Sequence, residues 1–122
     1  MPYELVIKAE FGAAHLLRQY KGQCERLHGH NWKLDLYLTA ETLDKDGLVI
    51  DFVDAKAAIR RVLEKYDHYY LNDVPPFDAI NPTSENIARV IAGELQAVLP
   101  SGVRVSRITA WESDRCGATY TP

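Results

Sequence analysis

Sulfur and imidazole are scarce in this chain, and each scarcity excludes something. Two cysteines, at 24 and 116, permit one disulfide at most, so no disulfide framework holds the fold and free thiols are the expectation. No apolar stretch approaches the length of a membrane span. Residues 1–14 mix Glu4, Lys8 and Glu10 among apolar positions, which is unlike a signal peptide, and a cytosolic protein is expected. No basic cluster stands out and the net charge is −3, which argues against nucleic acid as a direct partner. Repeats, linkers and low-complexity segments are lacking as well. What is present fits one globular domain over residues 1–122. The chain is long enough for one core and too short for two.

The hydrophobic pattern divides that domain. Tyr3 to His15 alternates, with Tyr3, Leu5 and Ile7 on one parity, and reads as a strand. Residues 16–26 are polar and contain Gly22, so they read as a loop. Alternation returns from His28 to Ala40, with His28, His30, Trp32, Leu34, Leu36 and Leu38 sharing a face. Asp44-Lys45-Asp46-Gly47 is a turn. From Asp51 the period becomes helical through Phe52, Ala55, Ile59, Val62, Leu63 and Tyr66, with Asp51 or Asp54 as cap. Residues 72–82, with Pro75, Pro76 and Pro82, connect to a second helix, capped by Thr83 or Ser84 and ended by Pro100 and Gly102. Residues 103–111 and 117–121 read as two further strands around a turn at Ser113-Asp114-Arg115. The expectation is an α+β domain of order ββααββ: a four-stranded antiparallel sheet with two helices on one face. Its open edges invite strand pairing between subunits.

The chemistry concentrates on histidine. His28 and His30 are two apart in a strand and so point the same way, and His15 on a neighbouring strand can complete a three-nitrogen face. Such a set leaves one coordination position open, as a catalytic zinc site does. Gly29 keeps the space between the two imidazoles clear. Zinc is the expected ion, because imidazole suits it and no carboxylate cluster suggests calcium or magnesium. Cys24 stands on the loop entering the His28 strand. It is expected as a catalytic thiolate, base or nucleophile, with the alternative that it is a fourth, structural ligand. Asp67 and His68 are placed at the end of the first helix, where adjacent side chains diverge but can share a proton network with a thiol. Glu112, following Trp111 at a strand end, offers two acceptors to an amidine-like edge such as that of guanine or pterin. Glu85 fits capping as readily as binding, and capping is the expectation. Cys116 is expected to pack in the core.

Taken together, Cys24-x-x-x-His28-Gly29-His30, Phe11-x-Ala13-Ala14-His15, Asp67-His68-x-x-Leu71-Asn72, Pro82-Thr83-Ser84-Glu85-Asn86 and Glu112-Ser113 resemble, in order and over nearly the whole chain, the 6-pyruvoyltetrahydropterin synthase family. The three-residue gap between Cys24 and His28 is similar to the bacterial 6-carboxy-5,6,7,8-tetrahydropterin synthase branch, whereas animal pyruvoyl enzymes have a longer gap. Cys24 also separates the chain from the subset with glutamate there. The resemblance implies the tunnelling fold, in which three subunits join their sheets into a barrel and two trimers stack. It implies active sites at subunit boundaries, with Asp67 and His68 of one chain beside Cys24 of another. It implies zinc on His15, His28 and His30, and a ring site at Glu112 with Thr83 and Ser84. The implied reaction converts 7,8-dihydroneopterin triphosphate to 6-carboxytetrahydropterin, acetaldehyde and triphosphate, on the route to queuosine and other deazapurines. Lys21 and Arg26 are candidates for the triphosphate, as are arginines of another subunit.

Three rivals stand beside this expectation. A 6-pyruvoyltetrahydropterin synthase would keep the metal and ring site but stop before losing two carbons. A non-catalytic zinc- or pterin-binding paralogue would be expected to lack a catalytic position, and none is lacking. A zinc hydrolase would need a general-base glutamate on the metal strand, and the sequence has none there.

Overall fold

The computed structural model describes residues 3–18 and 27–122, and at His28 the backbone alone. Cys24, Lys21, Arg26 and Gly22 therefore lie outside the described residues, as does the side chain of His28.

Two long strands form as their alternation predicts: β1 over Tyr3–His15 and β2 over His28–Ala40. They pair antiparallel along their whole length, from Tyr3 opposite Ala40 to His15 opposite His28. The turn after β2 closes with Asp44, whose carboxylate accepts from the amides of Asp46 and Leu48, while Gly47 takes the positive φ of 81° that the turn requires. Asp51, not Asp54, caps α1 (Phe52–Leu63), its carboxylate accepting from Val53 N–H at 2.8 Å. Thr83 caps α2 (Ser84–Val98), its hydroxyl accepting from Asn86 N–H at 3.1 Å. Two strands complete the chain, β4 at Arg104–Trp111 and β5 at Gly117–Tyr120.

One expectation about the sheet is corrected. It has five strands, not four, and is mixed. The order is β3-β1-β2-β4-β5, where β3 is the two-residue strand Tyr69–Tyr70 lying parallel to β1 at Ala13 and Ala14. A two-residue strand has no period for a sequence pattern to reveal. Tertiary contact with β1 alone makes it one. β3 covers little of β1, so residues 3–11 have no neighbouring strand on that side among the described residues.

The helices pack on the sheet face that carries the apolar parity. Trp32, Leu34, Leu36 and Leu38 of β2 are fully buried there, against Ile87, Ile91 and Leu95 of α2 and Ile108 of β4. Tyr66, beyond α1, is also fully buried and its hydroxyl donates to Glu94 at 2.7 Å. Burial first, and the Glu94 bond second, hold that phenol well above its ordinary pKa. Phe52 was expected on the inner face of α1 but is half exposed. The inner face is carried by Ala55, Ile59, Val62 and Leu63. Because Leu36 sits at the centre of the sheet with no exposed surface, Leu36→Ala should cost about 2–5 kcal/mol in a denaturant titration. A loss well under that range would mean that the centre of the core collapses to fill the gap.

Candidate functional site

Strand direction brings the chemistry to one end of the sheet. β1 and β4 run toward that end and β2 leaves it. The last residue of β1 (His15), the third of β2 (His30) and the first residue past β4 (Glu112) therefore gather there. Ala110 and Ile108 pair with Leu34 and Leu36 on the core face, and Glu112 continues their alternation.

The resulting cluster is tight. One donor atom from each of His15, His30 and Glu112 lies within 4.8 Å of the others. Glu112 Oε1 is 2.9 Å from His30 Nε2 and 3.5 Å from His15 Nε2. His15 is buried, and its Nδ1 lies 2.8 Å from the carbonyl oxygen of Pro82. A carbonyl can only accept, so Nδ1 carries a proton and Nε2 is the ring atom that faces the cluster. This is the outer-shell arrangement that sets the tautomer of a metal-ligating histidine. Trp32 walls the site, with its ring centroid 5.1 Å from His15 and 5.6 Å from His30 in edge-on contacts. Two imidazole nitrogens and a carboxylate oxygen at this spacing fit a divalent ion of borderline softness, zinc among them. The Cα of His28 is directly opposite that of His15.

Glu112, expected at a substrate ring edge, stands beside the histidine cluster, with one of its carboxylate oxygens against His30. The turn behind it explains the aim: Glu112 N–H donates to Cys116 O at 3.0 Å, and Ser113 Oγ accepts from the amides of Arg115 and Cys116. Cys116 itself is exposed with a free thiol, not packed in the core as expected. Glu85 is likewise not the cap. Thr83 supplies that bond, and the Glu85 side chain stands exposed at the second position of α2. Pro82 touches His15, so Thr83 and Ser84 lie at the rim of the histidine cluster.

Asp67 and His68 are a second unit, and here too the expectation changes. They follow α1 instead of ending it, and they meet: His68 Nδ1 is 3.1 Å from Asp67 Oδ1. Contact between neighbours is possible because His68 adopts a positive φ of 67°, outside helical geometry. The pair is pinned to β1 at Gly12, whose N–H donates to Asp67 Oδ1 at 2.9 Å and whose carbonyl accepts from His68 N–H at 2.6 Å. A Cβ on Gly12 would meet Asn31 Oδ1 at 3.3 Å and Asp67 Oδ1 at 4.0 Å, so the missing side chain keeps this approach open. With Nδ1 on Asp67, the exposed ring of His68 presents its other nitrogen outward. It borders a cavity of about 470 Å³ whose lining includes Gly12, Ala14, Asn31 and Tyr70 and also His30. Gly12 and Ala14 alternate with the core-facing Ala13 and His15, so the Asp67 carboxylate held at Gly12 lies toward the other sheet face, with His30 at the cavity's edge. The Asp67–His68 pair is not part of the cluster of His15, His30 and Glu112 donor atoms.

Known proteins agree with this architecture. The family model described as 6-pyruvoyl tetrahydropterin synthase matches residues 4–122. The chain is 33% identical over 117 residues, covering 96% of each protein, to a dihydroneopterin monophosphate aldolase of Pyrococcus furiosus. It is 38% identical over 91 residues, 70% of this chain and 69% of the other, to a 6-carboxy-5,6,7,8-tetrahydropterin synthase of Synechocystis. Among solved structures, the 6-pyruvoyl tetrahydropterin synthase of Caenorhabditis elegans superposes with a TM-score of 0.84 at 26% identity, covering 98% of this chain and 95% of the other. No helix among the described residues is long and apolar enough to cross a membrane.

Proposed function

The chain belongs to the 6-pyruvoyl tetrahydropterin synthase family, and from that premise we propose that it is a zinc-dependent 6-carboxy-5,6,7,8-tetrahydropterin synthase. The observation that carries the reading is the convergence of His15, His30 and Glu112 donor atoms, with the His15 tautomer set by Pro82. We assign His28 as the third imidazole on its spacing from His30 and its Cα register with His15. The substrate is 7,8-dihydroneopterin triphosphate and the products are 6-carboxytetrahydropterin, acetaldehyde and triphosphate, a place that suits queuosine and deazapurine synthesis. The working form is a homo-oligomer, and the uncovered stretch of β1 supports strand pairing between copies.

Zinc, when bound, supplies Lewis acidity to the substrate's side-chain oxygens and the C–H bonds beside them. Cys24 removes and returns protons on one side of that side chain. His68 does so on the other, through the nitrogen that Asp67 leaves exposed, while Gly12 holds the Asp67 carboxylate in line. On this reading each site takes His68 from one subunit and Cys24 from the next. Glu112 is assigned to the substrate's ring edge, helped by Thr83 and Ser84 at the start of α2, and the ion, when bound, would engage the imidazoles that its carboxylate now faces.

Glu112→Gln tests the ring assignment. It should raise KM by roughly 10–100-fold, the value of one charge-assisted hydrogen bond, with zinc content near parental. Loss of zinc with an unchanged KM would make Glu112 a metal ligand instead. The reaction itself is tested by incubating purified protein with dihydroneopterin triphosphate and following acetaldehyde and pterin mass. Equal amounts of acetaldehyde and 6-carboxytetrahydropterin are expected, and a pyruvoyl product would overturn the assignment.

A second reading has its own support in the Pyrococcus furiosus aldolase, which matches along almost the whole chain. An aldolase acting on dihydroneopterin monophosphate would break the bond between the first two side-chain carbons, using the same polarised hydroxyls and a thiolate or imidazole base. It would release a 6-hydroxymethyl pterin and keep the phosphate on the two-carbon fragment. Offering the monophosphate in the same assay distinguishes the two readings by product mass.

A further inference from the structure

The cluster's buried histidine is held from behind by a device that no sequence spacing announces. Residues 74–83 join the short 3-10 turn Leu71–Asp73 to α2 through turns, in which Val74 O and Pro76 O accept from amides of the same segment. Carbonyls that these turns do not serve need other partners, and one guanidinium reaches two of them together with a third in the 3-10 turn. Arg18 Nη2 donates to Phe77 O at 2.7 Å and to Asn72 O at 3.1 Å, and Nη1 donates to Ile80 O at 3.2 Å. The backbone of the same residue is gripped in return. Arg18 N–H donates to Asn81 Oδ1 at 2.8 Å, and Asn81 Nδ2 donates to Arg18 O at 3.2 Å. Asn72 does the same two residues earlier, accepting from Leu16 N–H and donating to Leu16 O, both at 3.0 Å.

These bonds close a ring through the site. The chain leaves His15, passes Leu16 and Leu17 to Arg18, crosses to Asn81, reaches Pro82, and returns to His15 through the Nδ1–H bond to the Pro82 carbonyl. We propose that Arg18 is a positioning residue for the metal centre: it fixes the Pro82 carbonyl, and through it the tautomer and ring direction of His15. The proposal rests on reading the histidine cluster as a metal centre. Arginine is needed because its planar fork reaches several carbonyls at once, whereas a lysine ammonium is a point charge on a flexible stem.

The test is Arg18→Lys, with Asn81→Ala as an independent break in the same ring. Zinc affinity is measured by chelator competition, and the His15 imidazole by nitrogen NMR on histidine-labelled protein. Each variant is expected to bind zinc about 10–100-fold more weakly, the range for lost outer-shell contacts. Each should also show the His15 signal as a mixture of tautomers instead of one. Parental affinity with a parental imidazole signal in either folded variant overturns the proposal. Should Arg18→Lys not fold, Asn81→Ala carries the same readouts. If the parent itself binds no zinc, the metal-centre reading falls, while the tautomer signal still decides whether Arg18 controls His15.

Discussion

Purified His30→Ala protein is expected to lose its zinc and its turnover together while keeping its fold. Loss of outer-shell contacts costs roughly 10–100-fold in metal affinity, so loss of a direct ligand should exceed about a hundredfold. The fold should survive because the cluster lies at the end of the sheet, where the His30 ring is partly exposed, and the core is carried by Trp32, Leu34, Leu36 and Leu38 behind it. Metal analysis, a thermal melt and the acetaldehyde assay on one preparation check all three statements. Removing zinc from the parent with a chelator should reproduce the loss, and adding zinc back should restore parental activity but not that of His30→Ala. An active variant with undiminished zinc would show that the ion, if essential, is held elsewhere.

Mixing two inactive variants is expected to recover activity. Cys24→Ala and His68→Ala should each be silent, since each removes one side of the proton relay. Asp67 is held at Gly12, whose position alternates with that of the core-facing His15. On the proposed reading, a site that needs both groups draws them from different copies. Random reassembly of equal amounts then pairs an intact Cys24 with an intact His68 in about a quarter of boundaries, given equivalent interfaces in a symmetric oligomer. Activity of the reassembled mixture, compared with each variant taken through the same steps, measures that fraction. A mixture as silent as its parts would place both groups in a single chain.

Much of the architecture was legible in advance because it repeats locally. The two-residue alternation of β1 and β2, the helical spacing from Ala55 to Leu63, and the caps at Asp51 and Thr83 all depend on neighbours within a few positions. His15 and His30 were legible for a further reason. Rare imidazoles on the apolar parity of two adjoining strands must share a face once those strands pair. Where locality ends, the reading slipped. Asp67 and His68 were assigned helical geometry, but the residues after Leu63 turn away, and the two-point hold on Gly12 comes from 55 positions upstream. Cys116 was taken for core on its chemistry alone, yet it sits in the turn that aims Glu112.

By itself, the amino-acid sequence determined the α+β class and put two imidazoles on the apolar parity of paired strands. It also placed two helix starts and two long strands, since periodicity and capping are properties of short windows. Only the tertiary structure decided that Glu112 faces the imidazoles, that a fifth strand exists, and that Asp67 and His68 touch. It alone revealed the Arg18 clamp, whose partners lie 54 to 63 residues away. The physical reason is one of range: a carbonyl or carboxylate has no sequence period of its own, and its partner is chosen only when distant segments are folded within hydrogen-bonding reach.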